Sequence, residues 1–162
     1  MAENRVFVSV EEGVAEPAWM PRIEPFMLSL LEKLGYENEE LSVMFCSDGM
    51  MQSLNKQYRD IDSPTDVLSF ENGDEYTDED GSTWLCAGDI IISLDTLPVN
   101  AQYFGVSENE ELKRLLIHGT LHVNGYDHGD AHVEPGKEPE DEMLKLQENV
   151  LRDFSDVQLL QA

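Results

Sequence analysis

Apolar and polar residues alternate at the start of the chain, with Val6, Val8 and Val10 on one side, and this two-residue period predicts a strand from Arg5 to Val10. The period then changes. Between Pro17 and Leu34 the residues Ile23, Phe26, Met27, Leu30, Leu31 and Leu34 recur at helical spacing, and Gly35 stops the helix. Leu41 to Cys46 reads as a second strand, and Ser47-Asp48 can cap a helix running to about Tyr58. Val67 to Phe70 and the isoleucine-rich Ala87 to Ser93 read as strands three and four. No helical pattern separates them, so they are expected to pair antiparallel. A less regular, partly helical stretch covers Asp95 to Phe104.

Ser107 with Glu110 three residues on forms a capping box, opening a helix from about Glu108 to Asn124. Leu112, Leu115 and Leu116 supply its packing, and Arg114, His118 and His122 share one stripe. A last helix runs from about Glu140 to Phe154, with Met143, Leu144, Val150 and Leu151 as its packing residues. This order predicts one α+β domain over residues 1–162, with helices packed on a small mixed four-stranded sheet.

Composition adds three constraints. No apolar run is long enough to span a bilayer and Met-Ala-Glu-Asn-Arg is not a signal peptide, which suits the cytoplasm. Cys46 and Cys86 fall in predicted strands and read as buried free thiols. The charge is extreme: 10 Lys+Arg face 34 Asp+Glu, a formal net charge of −24. A general nucleic-acid binder is expected to be basic. Much of the acidic excess falls in two predicted loops, 72–81 and 130–142, so the whole-chain charge says little about any one site.

The candidate chemistry lies in His118-Gly-Thr-Leu-His122-Val-Asn-Gly-Tyr-Asp-His128. His118 and His122, at i and i+4, lie on one helical face and can converge on one cation. His128 lies about 600° of rotation further on, so the chain must leave the helix and fold back. Gly125 suits that break, because glycine takes the left-handed position after a helix without a Cβ penalty. Three imidazoles leave a fourth coordination position open, as in catalytic zinc sites. The spacing is that of the metzincin proteases, His-Glu-x-x-His-x-x-Gly-x-x-His, but Gly119 replaces the Glu that serves as general base. Asp127, beside the third histidine, either orients a ligand imidazole or caps the turn. His132 reads as an exposed loop histidine.

A second segment runs from Leu54 to Phe70, with Arg59 at the end of a helix and a Pro64 turn bringing Thr65 and Asp66, candidate backbone caps, to a strand. Arg59 is one of few cations in the chain. Its planar fork suits a phosphate, while the abundance of carboxylates favours an ion pair.

Leu54 to Phe70, the strand motif Gly88-Asp-Ile-Ile-Ile-Ser93, the histidine segment and the helix Met143 to Leu151 together resemble the YbeY family of metal-dependent endoribonucleases. The resemblance covers most of the chain from Leu54 onward. Glu71 stands where that family often has proline. The resemblance implies an α+β fold distantly similar to zinc proteases, His118, His122 and His128 as zinc ligands, and Arg59 as the functional arginine. It further implies cleavage of single-stranded RNA in ribosomal RNA processing, including small-subunit 3′-end maturation and ribosome quality control. The small ribosomal subunit and its assembly factors would be partners.

The expected mechanism is metal-assisted phosphodiester hydrolysis. Zn²⁺ lowers the pKa of a bound water and Arg59 holds the scissile phosphate. The general base is metal hydroxide, Asp127 or the substrate. Imidazole ligands also suit Ni²⁺, copper or iron. Lys113 and Arg114 are candidates for additional positive potential. Two rivals are a zinc peptidase or amidase, and a ribosome-assembly binding factor with a structural zinc, which the acidity would suit through contact with basic ribosomal proteins. Oligomeric state is not readable from these patterns.

Overall fold

A computed structural model describes residues 3–128 and 138–160. Four strands and five α-helices follow in order: β1 (Arg5–Val10), α1 (Ile23–Lys33), β2 (Glu39–Cys46), α2 (Asp48–Arg59), β3 (Val67–Thr77), β4 (Thr83–Ser93), α3 (Thr96–Phe104), α4 (Glu108–Val123) and α5 (Glu142–Asp153). The sheet order is β1-β2-β4-β3. β1, β2 and β4 run parallel, and β3 pairs antiparallel with β4 along one edge. The fold is therefore α+β on a mixed four-stranded sheet, as the apolar pattern implied.

The main core lies on one face of this sheet. Leu41, Val43 and Phe45 of β2 and Ile90 and Ile92 of β4 meet Met27, Leu30 and Leu31 of α1 and Leu112, Leu116 and Leu121 of α4. All eleven are at most 2 % exposed, so this apolar surface accounts for much of the folding free energy. A smaller cluster under α2, on Cys46, Met51, Leu68 and Ile91, covers the third and fourth strands near their site-facing ends. Cys46 is buried and Cys86 half-buried, and both are free thiols.

Three boundaries differ from the sequence reading. A single 3₁₀ turn, Met20–Arg22, precedes α1, so the α-helix starts six residues later than Pro17. Pro21 and Pro25 explain this, since neither can donate an interior helical hydrogen bond. The predicted acidic loop 72–81 is largely strand: β3 and β4 continue as a hairpin arm, with Tyr76 opposite Trp84. Every residue of β3 from Glu71 to Thr77 is exposed, so this strand of the arm has no apolar alternation to betray it. A register shift between Glu71 and Asp74 further breaks the period. The third difference is α5, which starts at Glu142, capped by Asp141 Oδ1 accepting from Leu144 N at 3.1 Å. His132 and most of the second acidic segment lie outside the described residues. Among the described residues no helix is long and apolar enough to cross a membrane.

Candidate metal centre

α4 brings the first two histidines together. Ser107 caps it, its Oγ accepting from Glu110 N at 3.0 Å, and the helix then runs unbroken past His118 and His122. Gly125 ends it in the left-handed conformation, φ 94°, while Gly125 N and Tyr126 N donate back to His122 O and Leu121 O at 3.0 Å each. That reversal returns His128 to the face of α4 bearing the other two. Ring centroids stand 4.6 Å apart for His118–His122, 5.2 Å for His118–His128 and 5.1 Å for His122–His128. One ring nitrogen from each lies within 4.8 Å of those of the others.

The electrostatics suit a cation. Burial pushes the His118 imidazole down to about 4, with a hydrogen bond to Gln147 acting the other way and His122 and His128 adding to the fall. Burial also lowers His122, as do His128 and Arg59, against the backbone of Tyr126 and the charge of Asp127. Both rings are held in the neutral form that binds metal. Three converging neutral imidazoles are the donor set of an open three-histidine site, so the residues present fit a divalent transition metal. Nothing in this donor set selects zinc over nickel. The proximity of Asp127 to His122 places that carboxylate beside the second histidine as well as the third.

Arg59 reaches the same place from α2. The helix ends at Asp60 in the left-handed conformation, φ 60°, and Asn55 Nδ2 donates to Ser63 O at 2.9 Å, tying down the turn that follows. Asp66 Oδ1 accepts from Val67 N at 2.7 Å, as the cap reading anticipated, and Asp66 Oδ2 accepts from Asn100 at 2.6 Å. Arg59 Nη2 donates to Ser69 O at 2.8 Å, and its guanidinium sits 5.1 Å from the centre of the Phe70 ring. It forms no ion pair among the described residues, which overturns the expectation drawn from the abundance of carboxylates. A cleft of about 260 Å³ is lined by Arg59, Val67, Leu68, Ser69 and all three histidines. The rest of the arginine fork is available there to a ligand.

Lys113 and Arg114 behave differently from the sequence reading. Lys113 is 2 % exposed and donates to the carbonyls of Phe154 and Val157 at 2.8 and 2.9 Å. Arg114 is 8 % exposed and paired with Glu111 at 2.8 Å and Glu148 at 3.0 Å. Neither lends uncompensated charge to the cleft. Glu111 itself is pushed up to about 7 by burial, with Arg114 pulling it back.

Two groups escaped the sequence reading. His118 Nδ1 lies 2.6 Å from Gln147 Oε1. Gln147 is the polar member of the buried stripe Met143, Leu144, Gln147, Val150 and Leu151, and that misplacement was the available signal. Glu39, 2 % exposed at the start of β2, has neither carboxyl oxygen in a well-formed hydrogen bond among the described residues. Burial pushes it up to about 7, partly opposed by the nearby Asn124 amide.

The fold and the histidine cleft define a class: α+β proteins carrying a three-histidine metal site on a helix and the turn after it. Comparison with known proteins narrows this. Residues 9–155 match the family described as endoribonuclease YbeY. Curated proteins named endoribonuclease YbeY are 54 % identical over 159 residues in Treponema denticola, covering 96 % of this chain and 97 % of that protein. In Aquifex aeolicus the identity is 39 % over 153 residues, covering 94 % and 93 %. The solution structure of TM1509 from Thermotoga maritima superposes with a TM-score of 0.59 at 24 % identity, over 93 % of this chain and 90 % of that one, and shares the fold. The chain belongs to the YbeY endoribonuclease family.

Proposed function

We propose that this protein is a metal-dependent endoribonuclease, a hydrolase of RNA phosphodiester bonds, working as a single domain in the cytoplasm. The observation that carries this reading is Arg59, with donors to spare, in the cleft that holds the three histidines. Membership of a family whose named members are endoribonucleases supports it. The substrate is single-stranded RNA, in particular ribosomal RNA precursor, with the small ribosomal subunit and its assembly factors as partners. Zn²⁺ is the expected ion, with Ni²⁺ the alternative.

His118, His122 and His128 would hold the ion, which when bound supplies Lewis acidity and an activated water. Arg59 grips the scissile phosphate through its remaining N–H donors and stabilises charge on the phosphoryl oxygens as it builds. Ser69 O holds the guanidinium by one edge and Phe70 by one face, so the fork is oriented before RNA arrives. Gly119 takes no part. Its Cα faces the sheet, so no side chain at that position would reach the cleft.

The test is cleavage of single-stranded RNA by the purified protein, with metal content measured on the same preparation. His118→Ala and Arg59→Ala should both lose activity. If both cut as fast as the parent, the activity comes from a contaminant and the assignment fails. If the protein sediments with small subunits but leaves RNA uncut, it is an assembly factor instead. The net charge of −24 would then find its use against basic ribosomal proteins.

A further inference from the structure

We infer that Gln147, backed by Glu148 and Arg114, is a positioning residue that fixes the tautomer of His118, keeping the proton on Nδ1 and turning the Nε2 lone pair toward the metal. This rests on reading the three histidines as a metal centre. It follows from hydrogen-bond polarity alone. An arginine side chain can only donate. Arg114 Nε and Nη2 donate to Glu148 Oε2 and Oε1 at 3.0 and 3.1 Å, so both Glu148 oxygens are committed as acceptors. The Gln147 atom 2.9 Å from Glu148 Oε2 must therefore be the amide nitrogen. That turns the amide carbonyl to His118, 2.6 Å from Nδ1. A carbonyl can only accept, so Nδ1 must carry hydrogen. A neutral imidazole has a single N–H, and Nε2 is left as the ligand atom.

The direction of this relay is set at Arg114, two residues removed from the histidine it governs. It is insulated from reversal. Gln147 is 1 % exposed and Arg114 8 %, so water has little access to exchange partners with either. Arg114 is in turn held by Glu111, its Nη1 donating to Oε1 at 2.8 Å. A free histidine in water prefers the opposite tautomer, with the proton on Nε2. The relay therefore does something that the ring would not do unaided. It also gives a role to the pairing of buried Arg114 with half-buried Glu148, since a largely buried ion pair is by itself poor evidence of stabilisation.

The experiment uses the full chain, labelled with ¹⁵N-histidine and stripped of metal. Ring-nitrogen NMR near neutral pH reads the tautomer, and competition with a chromophoric chelator reads Zn²⁺ affinity, for the parent, Gln147→Leu and Gln147→Glu. The parent should show His118 protonated on Nδ1. Gln147→Leu, which keeps bulk but accepts nothing, should move His118 toward the Nε2–H form and weaken Zn²⁺ binding about 10- to 100-fold. Gln147→Glu retains an acceptor and should hold the parental tautomer and at least the parental affinity. A parent His118 protonated on Nε2 overturns the inference, as does a Leu variant with parental tautomer and affinity. If the Leu variant does not fold, the parent spectrum and the Glu variant decide. Failure of the parent to bind Zn²⁺ sinks the metal reading separately, because the tautomer is measured without metal.

Discussion

Gly119 of α4 is pressed against Ile90 of β4: a Cβ at position 119 would lie 2.6 Å from Ile90 Cγ2 and 3.1 Å from its Cδ1. The residue that breaks the protease-type signature is thus where the metal-bearing helix closes on the sheet. Ile90 is fully buried and β-branched, so it has little room to yield. The helix can approach this closely because position 119 has no side chain, and the approach sets the height of His118 and His122 above β4.

Gly119→Ala should therefore destabilise the protein despite alanine's better helix propensity. Overpacking costs about 1–3 kcal/mol and the propensity gain returns about 1 kcal/mol. A net loss of up to about 2 kcal/mol is expected in urea denaturation. Gly119→Glu should lose far more and acquire no peptidase activity. A Glu variant that folds like the parent would show that the contact with Ile90 has been misjudged.

Glu39 should give stability a pH dependence of unusual sign. Its folded value, about 7, stands above its ordinary 4.5, so the fold prefers the protonated acid. That contribution is complete below about pH 4.5 and is lost as pH rises through 7. The slope is about 1.4 kcal/mol per pH unit, with a total of at most about 3 kcal/mol. Glu39→Gln should be the more stable protein above pH 7 and lose this advantage toward pH 4.5. Denaturation curves for both proteins across this range provide the check. Parallel pH profiles would mean that the carboxyl finds solvent.

Arg59→Ala should reduce RNA cleavage about 10²- to 10³-fold, the usual cost of removing one donor from a developing oxyanion. Stability should fall by under about 1 kcal/mol, since a single hydrogen bond to Ser69 O is lost. Arg59→Lys keeps the charge without the fork and should recover only part of the rate. Full activity in the Ala variant would remove the phosphate grip from the mechanism.

Salt offers an independent check. Among the described residues, Arg59 is the one cation lining the histidine cleft that is not already paired. Each phosphate neutralised on a single strand contributes a slope of about −0.7 in log K against log salt. The affinity for single-stranded RNA should therefore follow a slope of about −1 or shallower. A steep dependence would locate a basic RNA surface elsewhere on the molecule.

Metal loading should stabilise the fold by mass action. At free ion about 1,000 times the dissociation constant, the gain is about 4 kcal/mol, visible as a raised unfolding midpoint that a chelator reverses. His122→Ala should abolish the shift. A shift that survives in His122→Ala would place the ion elsewhere.

How much of this was legible in the sequence depended on whether burial leaves a period. The helices and the inner strands bury one face, and their apolar residues announced them. The histidine cluster was legible because its spacing and Gly125 together demand the observed reversal. The hairpin arm beyond Phe70 was not, because its first strand is exposed along its length from Glu71 to Thr77 and needs no alternation. Arg59 could be picked out by type but not placed, since its position depends on α2 meeting β3 across the chain. Arg114 looked like a source of open charge, because the carboxylate that neutralises it from α5, Glu148, is 34 residues away in sequence. Gln147 could be found only as a polar residue in an apolar stripe.

Two of the histidines ride on a continuous helix and the third on the turn beyond Gly125. An ion bound by all three would be a clasp between a rigid element and a short return of chain. Its loss would leave α4 standing on the sheet and unfasten Gly125 to His128. The loading state of the enzyme would then be displayed on its outside, in the exposed stretch Gly125 to Asp127, where a protease or an antibody could inspect it without entering the cleft.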